Sequence, residues 1–443
     1  MNLEQEVGEE VGENPNELVR GDCIDDRLST RIGNCGNERA LVVDQLLWES
    51  GDTSPENGQY DFAEPYSGYD NTAEAELIDA LSETKAFRRL EDIRFLGALD
   101  YFLVSQPNGK ETSRRYTRQQ HSLGVAALAK AYLDETRHSA QQRLVCVAAA
   151  MLHDVGHSPF SHTLEPVFTE AFGVDHHRAS ERMITGLAPL GSDIAKVLKA
   201  FGIDPLAVLH VLNGGDEHFD RFFSGPINFD TIEGILRARS YLRMQKLGLS
   251  PLKVMKAAIA RTSPESQHVI DGFWNSKAEV YSLVIRSKRG AFYDALFQEI
   301  VRRHVDGLTA DDFYTTETSM FRKIPMLRDA LDAQKMPAIA RNVLPSKLVY
   351  TVRQFDIHKS VDFTTYDDAK RYAQRKTRSF LTVEEILQGL TAINADGGAS
   401  ERLYRDKGLF GAEAERATHG TGFFRSAWRA CRNVWLLRST RSS

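Results

Sequence analysis

The chain has 443 residues, 26% charged and 42% hydrophobic, which excludes a collagen-like, coiled-coil or wholly disordered protein and a membrane bundle. The formal net charge of -6 is unevenly spread: residues 1–75 hold 18 Asp and Glu against 4 Lys and Arg, a local -14 that leaves +8 for the remainder. A net of +8 over so long a body is weak evidence for nucleic acid, and an acidic leader is ordinarily just solvated. Cys23, Cys35, Cys146 and Cys431 show no CxxC pairing, so neither a disulfide framework nor a structural zinc finger is expected. The opening MNLEQEVGEEVG lacks the basic and apolar regions of a secretory signal, and no apolar run reaches about 18 residues. No membrane span and a reducing, cytoplasmic location are expected.

Residues 1–70 are rich in Gly, Asn, Asp, Glu, Ser and Pro, interrupted by one apolar island, Ala40 to Trp48. They read as a largely irregular segment with one short docking element. Helical periodicity starts near Asn71, with Asn71 or Thr72 as N-cap. Leu77, Ile78, Leu81, Phe87, Leu90, Ile93, Leu96 and Leu99 then recur at three- and four-residue steps, predicting two helices joined near Ser82–Lys85. Residues 104–117 read as a polar loop. Helices are predicted over 119–136 and 140–153, the second apolar on every side and therefore central. Further helices are predicted over 157–171, 176–187, 192–201, 204–212, 229–247, 251–260 and 276–305. The main domain, 71–305, is thus expected to be an all-α bundle.

Past 306 the texture changes. Lys347–Ile357 alternates and is rich in β-branched and aromatic residues, which predicts a strand, with Arg371–Val383 as partner. Residues 417–443 hold no acid and place Phe423, Phe424, Trp428, Cys431 and Trp435 at helical spacing among five arginines. A basic amphipathic helix is expected there. The region 306–443 reads as a small α+β appendage suited to oligomerisation.

Seven of the thirteen histidines fall between 121 and 177. His153-Asp154 ends the apolar helix, and Gly156 and Pro159 supply the break. Adjacent side chains on a helix project about 100° apart, so the two converge only where the helix stops. An uncompensated carboxylate at such a place is costly, and a divalent cation would neutralise it. His121, opening one helix, and Asp230, opening another, complete a mixed N/O ligand set. Such a set suits Fe, Mn, Zn, Co or Ni without choosing among them. Four protein ligands on a six-coordinate ion leave room for water and a phosphate oxygen, which points to phosphate-ester hydrolysis.

The set His121 … His153-Asp154 … Asp230 resembles the ligand pattern of HD-domain phosphohydrolases. The run His153-Asp154-Val155-Gly156-His157-Ser158-Pro159-Phe160-Ser161-His162 resembles one branch of them, the deoxynucleoside triphosphate triphosphohydrolases. Further resembling pieces are Phe87–Leu90, Leu96-Gly97, Arg118–Val125, Asp175-His176-His177 and Asp230–Glu233. The resemblance spans roughly 72–305. It implies metal ligation by His121, His153, Asp154 and Asp230, and triphosphate contact by Arg118. It implies that His157 steadies the attacked phosphate, and that His177, paired with Glu165, protonates the leaving oxygen. Lys277 stands where a later phosphate-binding basic residue is expected. His162 is expected to anchor the turn after Pro159, and His138 and His176 to be surface or cap residues. Mg is admitted with the triphosphate.

The resemblance breaks at the sugar end. Phe95 replaces a polar residue, Gly234 an aromatic and Ala238 a carboxylate. The expected activity is hydrolysis of a deoxynucleoside triphosphate to deoxynucleoside and triphosphate, suited to depleting nucleotide pools, as in defence against phage. Two alternatives stay open: a nucleotide phosphatase or exonuclease on single-stranded nucleic acid, and a non-catalytic nucleotide-sensing module. Relatives of this kind imply a homo-oligomer, a tetramer or hexamer.

Overall fold

Thr72 caps the first helix, Ala73–Ser82, its hydroxyl accepting from Ala75 N. The computed structural model describes residues 72–103, 116–216, 218–223, 225–241, 249–260, 263–361 and 368–395. The acidic segment, the Ala40–Trp48 island and the basic helix expected over 417–443 lie outside the described residues. Within them the protein is an α-helical bundle with one small antiparallel sheet.

The centre is the helix Ala140–Leu152. A reciprocal cap starts it: Ser139 Oγ accepts from Gln142 N while Gln142 reaches back to Ser139 N. From Val145 to Leu152 every residue is buried, and the free thiol of Cys146 is among them. Three consecutive alanines, Ala148 to Ala150, leave room for neighbouring helices to approach. Arg118–Asp134 packs along one side, with Ala73–Ser82 and Pro205–Leu212 on others. Each large aliphatic side chain buried in this way contributes roughly 1.5–3 kcal/mol. Phe229–Tyr241, Pro251–Ala260 and Pro264–Val280 complete the layer around Arg118–Asp134.

The stretch predicted as one helix over 276–305 is two. Pro264, in the first turn after the Ser263 cap, starts a helix that runs to Val280. One turn of π-helix follows at Tyr281–Ile285, and Ser287 caps a new helix, Lys288–Arg302. No Gly or Pro marks the break, so periodicity alone runs through it. Short helices at Glu317–Lys323, Pro325–Asp329 and Met336–Val343 also escaped the pattern.

Strands β1 (Lys347–Ile357) and β2 (Tyr372–Thr382) pair antiparallel from Lys347↔Thr382 to Ile357↔Tyr372, where alternation placed them. Leu348, Tyr350 and Leu381 are buried. Farther along, Phe355 packs on Trp274 and Tyr281, and the Trp274 indole donates to Asp356 O at 3.2 Å. Arg371 closes the attachment through Asp271, at 2.8 Å. No described helix is long and apolar enough to cross a membrane.

Candidate metal centre

Two helix starts and one helix end meet beside the central helix. Thr117 caps Arg118–Asp134 with a reciprocal Gln120 bond, which sets His121 one turn in. Ala140–Leu152 stops at His153, so His153 and Asp154 turn toward the same point. Asp230 lies in the first turn of Phe229–Tyr241.

The nitrogen and oxygen donors of His121, His153, Asp154 and Asp230 all lie within 4.8 Å of one another. His121 Nε2 is 3.0 Å from Asp230 Oδ1 and 3.4 Å from Asp154 Oδ2. His153 Nε2 is 3.4 Å from Asp154 Oδ2 and 3.3 Å from His121 Nε2. Donors about 2.1 Å from one ion stand roughly 3.0–3.4 Å apart, so the spacing suits a shared cation. The tautomers agree. His153 Nδ1 donates to Ala150 O at 2.8 Å, and His121 Nδ1 is bonded to Glu233 Oε2. Both Nε2 atoms therefore turn lone pairs toward each other and toward two carboxylates, an arrangement that repels itself without a cation between. Without a cation the same acids draw a proton instead: burial opposes charge on His121, yet Glu233, Asp230 and Asp154 raise its pKa to about 9. The donor set fits a divalent metal. Asp230 is half exposed while His121 and Asp154 are buried and His153 is nearly so, so the cluster opens to solvent on the Asp230 side.

Behind His121, Glu233 receives Arg237 Nε at 2.9 Å and Nη2 at 2.5 Å. A Cβ at Gly124 would lie 2.2 Å from Glu233 Oε1, so only glycine lets the two helices close there. Gly156 plays the same part in the turn after Asp154, where a Cβ would lie 2.2 Å from His176 O.

The turn itself is strained. Phe160 and Ser161 stand at φ 60° and 50°, in the left-handed region that costs a non-glycine residue roughly 1–2 kcal/mol. The turn aims Ser161 Oγ so that it accepts Arg118 Nε at 2.9 Å and donates to Arg94 O at 2.7 Å. Arg118 Nη1 reaches Asp154 Oδ2 at 2.6 Å, and its guanidinium lies 5.1 Å from the Phe95 ring centroid. Burial disfavours the Asp154 carboxylate, but His153, His157 and Arg118 hold its pKa well below the usual range.

Beside the ligands lies a second group: His157, His162, Glu165 and His176. His157 is buried, its Nε2 3.2 Å from Asp154 Oδ1 without hydrogen-bond geometry. Burial first, then the Arg118 cation, keeps it neutral. Glu165 binds two imidazoles, His162 Nδ1 at 3.0 Å and His176 Nδ1. The His176 ring stacks on His157 at 4.7 Å, and His162 meets His157 edge-on at 4.5 Å.

Two expectations change here. The Glu165 partner is His176, not His177. Asp175 caps the helix His176–Thr185, so its first residue points inward, and His177, next around the helix, is exposed. His176 is accordingly no surface residue. Lys277 donates to Pro226 O at 2.9 Å and lies over the Trp274 ring at 5.0 Å; burial lowers its pKa to about 8, against the attraction of the Asp230 carboxylate. Sequence reasoning passed over Glu233 and the His162–Glu165 pair. Both stand at i,i+3, Asp230 to Glu233 and His162 to Glu165, and that spacing was their signal.

At the sugar end of the resemblance, Phe95 is buried with its ring 4.8 Å from that of His121. A Cβ at Gly234 would sit 3.5 Å from both His121 Cε1 and Phe95 Cζ.

Residues 118–203 match the HD domain family. The chain is 32% identical over 153 residues to the uncharacterised protein YwfO of Bacillus subtilis, covering 33% of this chain and 32% of that one. It is 25% identical over 412 residues to the deoxynucleoside triphosphate triphosphohydrolase SAMHD1 homolog of Dictyostelium discoideum, covering 80% and 72%. It is 25% identical over 276 residues to a deoxyguanosinetriphosphate triphosphohydrolase-like protein of Allorhizobium ampelinum, covering 57% and 62%. The matches span about a third of the length of YwfO and of a Mycoplasma pneumoniae relative, 32% and 37%.

Proposed function

We propose that this chain, which carries an HD domain and is similar to deoxynucleoside triphosphate triphosphohydrolases, is a metal-dependent phosphohydrolase that cleaves a deoxynucleoside triphosphate to deoxynucleoside and triphosphate. One observation carries the reading: two imidazole lone pairs and two carboxylates converge on one point with an open side toward solvent.

His121, His153, Asp154 and Asp230 would hold the cation, which supplies Lewis acidity and an activated water. Arg118, anchored through Nε and Nη1 beside Asp154, presents a planar cation to phosphate oxygens. His157, neutral and buried against Asp154, adds a hydrogen-bonding edge for the attacked phosphate. Departure of the deoxynucleoside oxygen needs a proton. The imidazoles that Glu165 orients, His162 and His176, supply it in place of His177. Burial disfavours charge on His176, but Glu165 raises its pKa, which keeps this imidazole a proton carrier.

Phe95, Gly234 and Ala238 favour a second reading of the substrate. The wall beside His121 is apolar, without the polar groups that the resemblance places at the sugar. A nucleoside monophosphate or a single-stranded nucleic acid end would use the same metal chemistry. Assembly as a homo-oligomer, tetramer or hexamer, and nucleotide-pool depletion in defence against phage complete the proposal.

The test gives purified protein Mn²⁺ or Mg²⁺ with dNTPs, dNMPs or single-stranded DNA and separates the products. Triphosphate with deoxynucleoside is the expected result. Orthophosphate or short oligomers would move the substrate to the second reading. No turnover by a metal-loaded protein would overturn the enzymatic proposal in favour of a binding module.

A further inference from the structure

Glu317 lies far outside the matched HD segment, yet its buried carboxyl touches the active-site turn directly. Oε1 accepts Phe160 N at 3.1 Å and Arg94 N at 2.7 Å, and Oε2 is bonded to Tyr101 Oη. We propose that Glu317 is a positioning residue that pins the left-handed Phe160–Ser161 turn and thereby sets the Arg118 guanidinium for phosphate. The inference rests on the role proposed above for Arg118.

The path is short and continuous. Phe160 N is fixed by Glu317, and Ser161, next in the turn, bonds Arg94 O and Arg118 Nε through its hydroxyl. Arg94, the residue before Phe95, is fixed by the same Glu317 oxygen. Both sides of the Arg118 slot, the Ser161 hydroxyl and the Phe95 ring, are thus referred to one carboxyl. The segment carrying Glu317 is itself held at both flanks. Arg89 spans Thr315 O at 3.1 Å and Val155 O at 2.8 Å, and Asp92 Oδ2 accepts Thr318 N at 3.1 Å. Phe160 keeps its place among Tyr101, Phe297 and Phe321 rings. Gly97 passes so close that a Cβ there would lie 2.3 Å from Phe160 O. The turn therefore has no room to relax while the clamp holds. Local sequence does not favour two consecutive non-glycine residues in the left-handed region, so a distant acceptor for the Phe160 amide is what the geometry requires.

Burial pushes the Glu317 carboxyl up to about 8, against the donors around it. A glutamine reproduces the side chain's shape and its Oε1 acceptor.

The experiment compares the full-length protein with E317Q, E317A and E317D. Each is loaded with Mn²⁺, assayed for metal content and thermal unfolding, and titrated with inorganic triphosphate by calorimetry. E317A is expected to bind triphosphate at least tenfold more weakly with its metal content kept, while E317Q stays within threefold of the parent. E317D, one methylene short of Phe160 N, is expected to behave like E317A and serves if E317A does not fold. Parental triphosphate affinity in E317A or E317D, with only a lower unfolding temperature, would overturn the inference and leave a structural role. A parent that holds metal but binds no triphosphate would sink the functional reading itself, and the inference with it.

Discussion

Glu233 sits behind His121 and is matched by Arg237, so it both orients the imidazole and keeps its Nδ1 proton in place. Replacing it by glutamine keeps an acceptor but removes the charge. Partners of this kind are worth roughly 10–100-fold in metal affinity. Glu233→Gln is expected to weaken Mn²⁺ binding about tenfold in a competition titration, and unchanged affinity would contradict the role. Asp294 offers a test of pH dependence away from the ligands. Burial raises its carboxyl to about 6, partly offset by the Thr163 hydroxyl that donates to it at 2.7 Å. The folded form then holds the proton more tightly than the unfolded chain. Its contribution is full below about pH 4 and is lost as pH rises toward 6, at most ~3 kcal/mol. Asp294→Asn should flatten the fall in unfolding temperature across that window, and an unaltered slope would exclude Asp294 as its source. The meeting of His121, His153, Asp154 and Asp230 could be anticipated from a His-Asp pair at a helix end and a His and an Asp at two helix starts, whereas Arg118 and His157 were singled out by the resemblance alone. Glu317 could not be anticipated: its partners, two backbone amides and the Tyr101 hydroxyl, lie far away in the chain, and a lone glutamate opening a short helix has no pattern.

At the scale of elements, the caps matter most. The Thr117 and Gln120 pair starts the helix that delivers His121, and Arg118 N donates to Ile93 O at 2.9 Å just beside it. Thr117→Ala is expected to cost about 1 kcal/mol in chemical denaturation. Because His121 lies one turn away, metal affinity should fall with it; a stability loss with unchanged affinity would show that the helix start does not set the ligand. Periodicity revealed most helices around the centre and the β1–β2 pair, but it carried the helix predicted over 157–171 through the left-handed turn at Phe160 and Ser161, where the structure starts an α-helix only at Glu165. It failed between Val280 and Ser287, where a π-turn shifts the phase without a breaker residue. It also failed over 310–343, where short helices are held by partners such as Asp312 for Lys323, at 2.6 Å, rather than by a long apolar stripe.

For the whole molecule, the charge division of the sequence separates the acidic segment from the chemistry. Every proposed ligand lies in the body with the net positive charge, which would help draw in a polyanionic nucleotide. A chain lacking residues 1–60 is therefore expected to keep its metal, with any change confined to activation or assembly. Loss of metal from it would contradict that division. Ties between the residues after 306 and the bundle include Glu317 at the Phe160–Ser161 turn and the Asp271–Arg371 pair at the sheet. No composition signal announced either tie. The central claim is that His121, His153, Asp154 and Asp230 share one divalent cation. It is tested most directly by elemental analysis of the full-length protein beside Asp154→Ala, both incubated with Mn²⁺ and desalted. About one ion per chain in the parent and almost none in the variant is the predicted result; a metal-free parent, or equal metal in both, would contradict it.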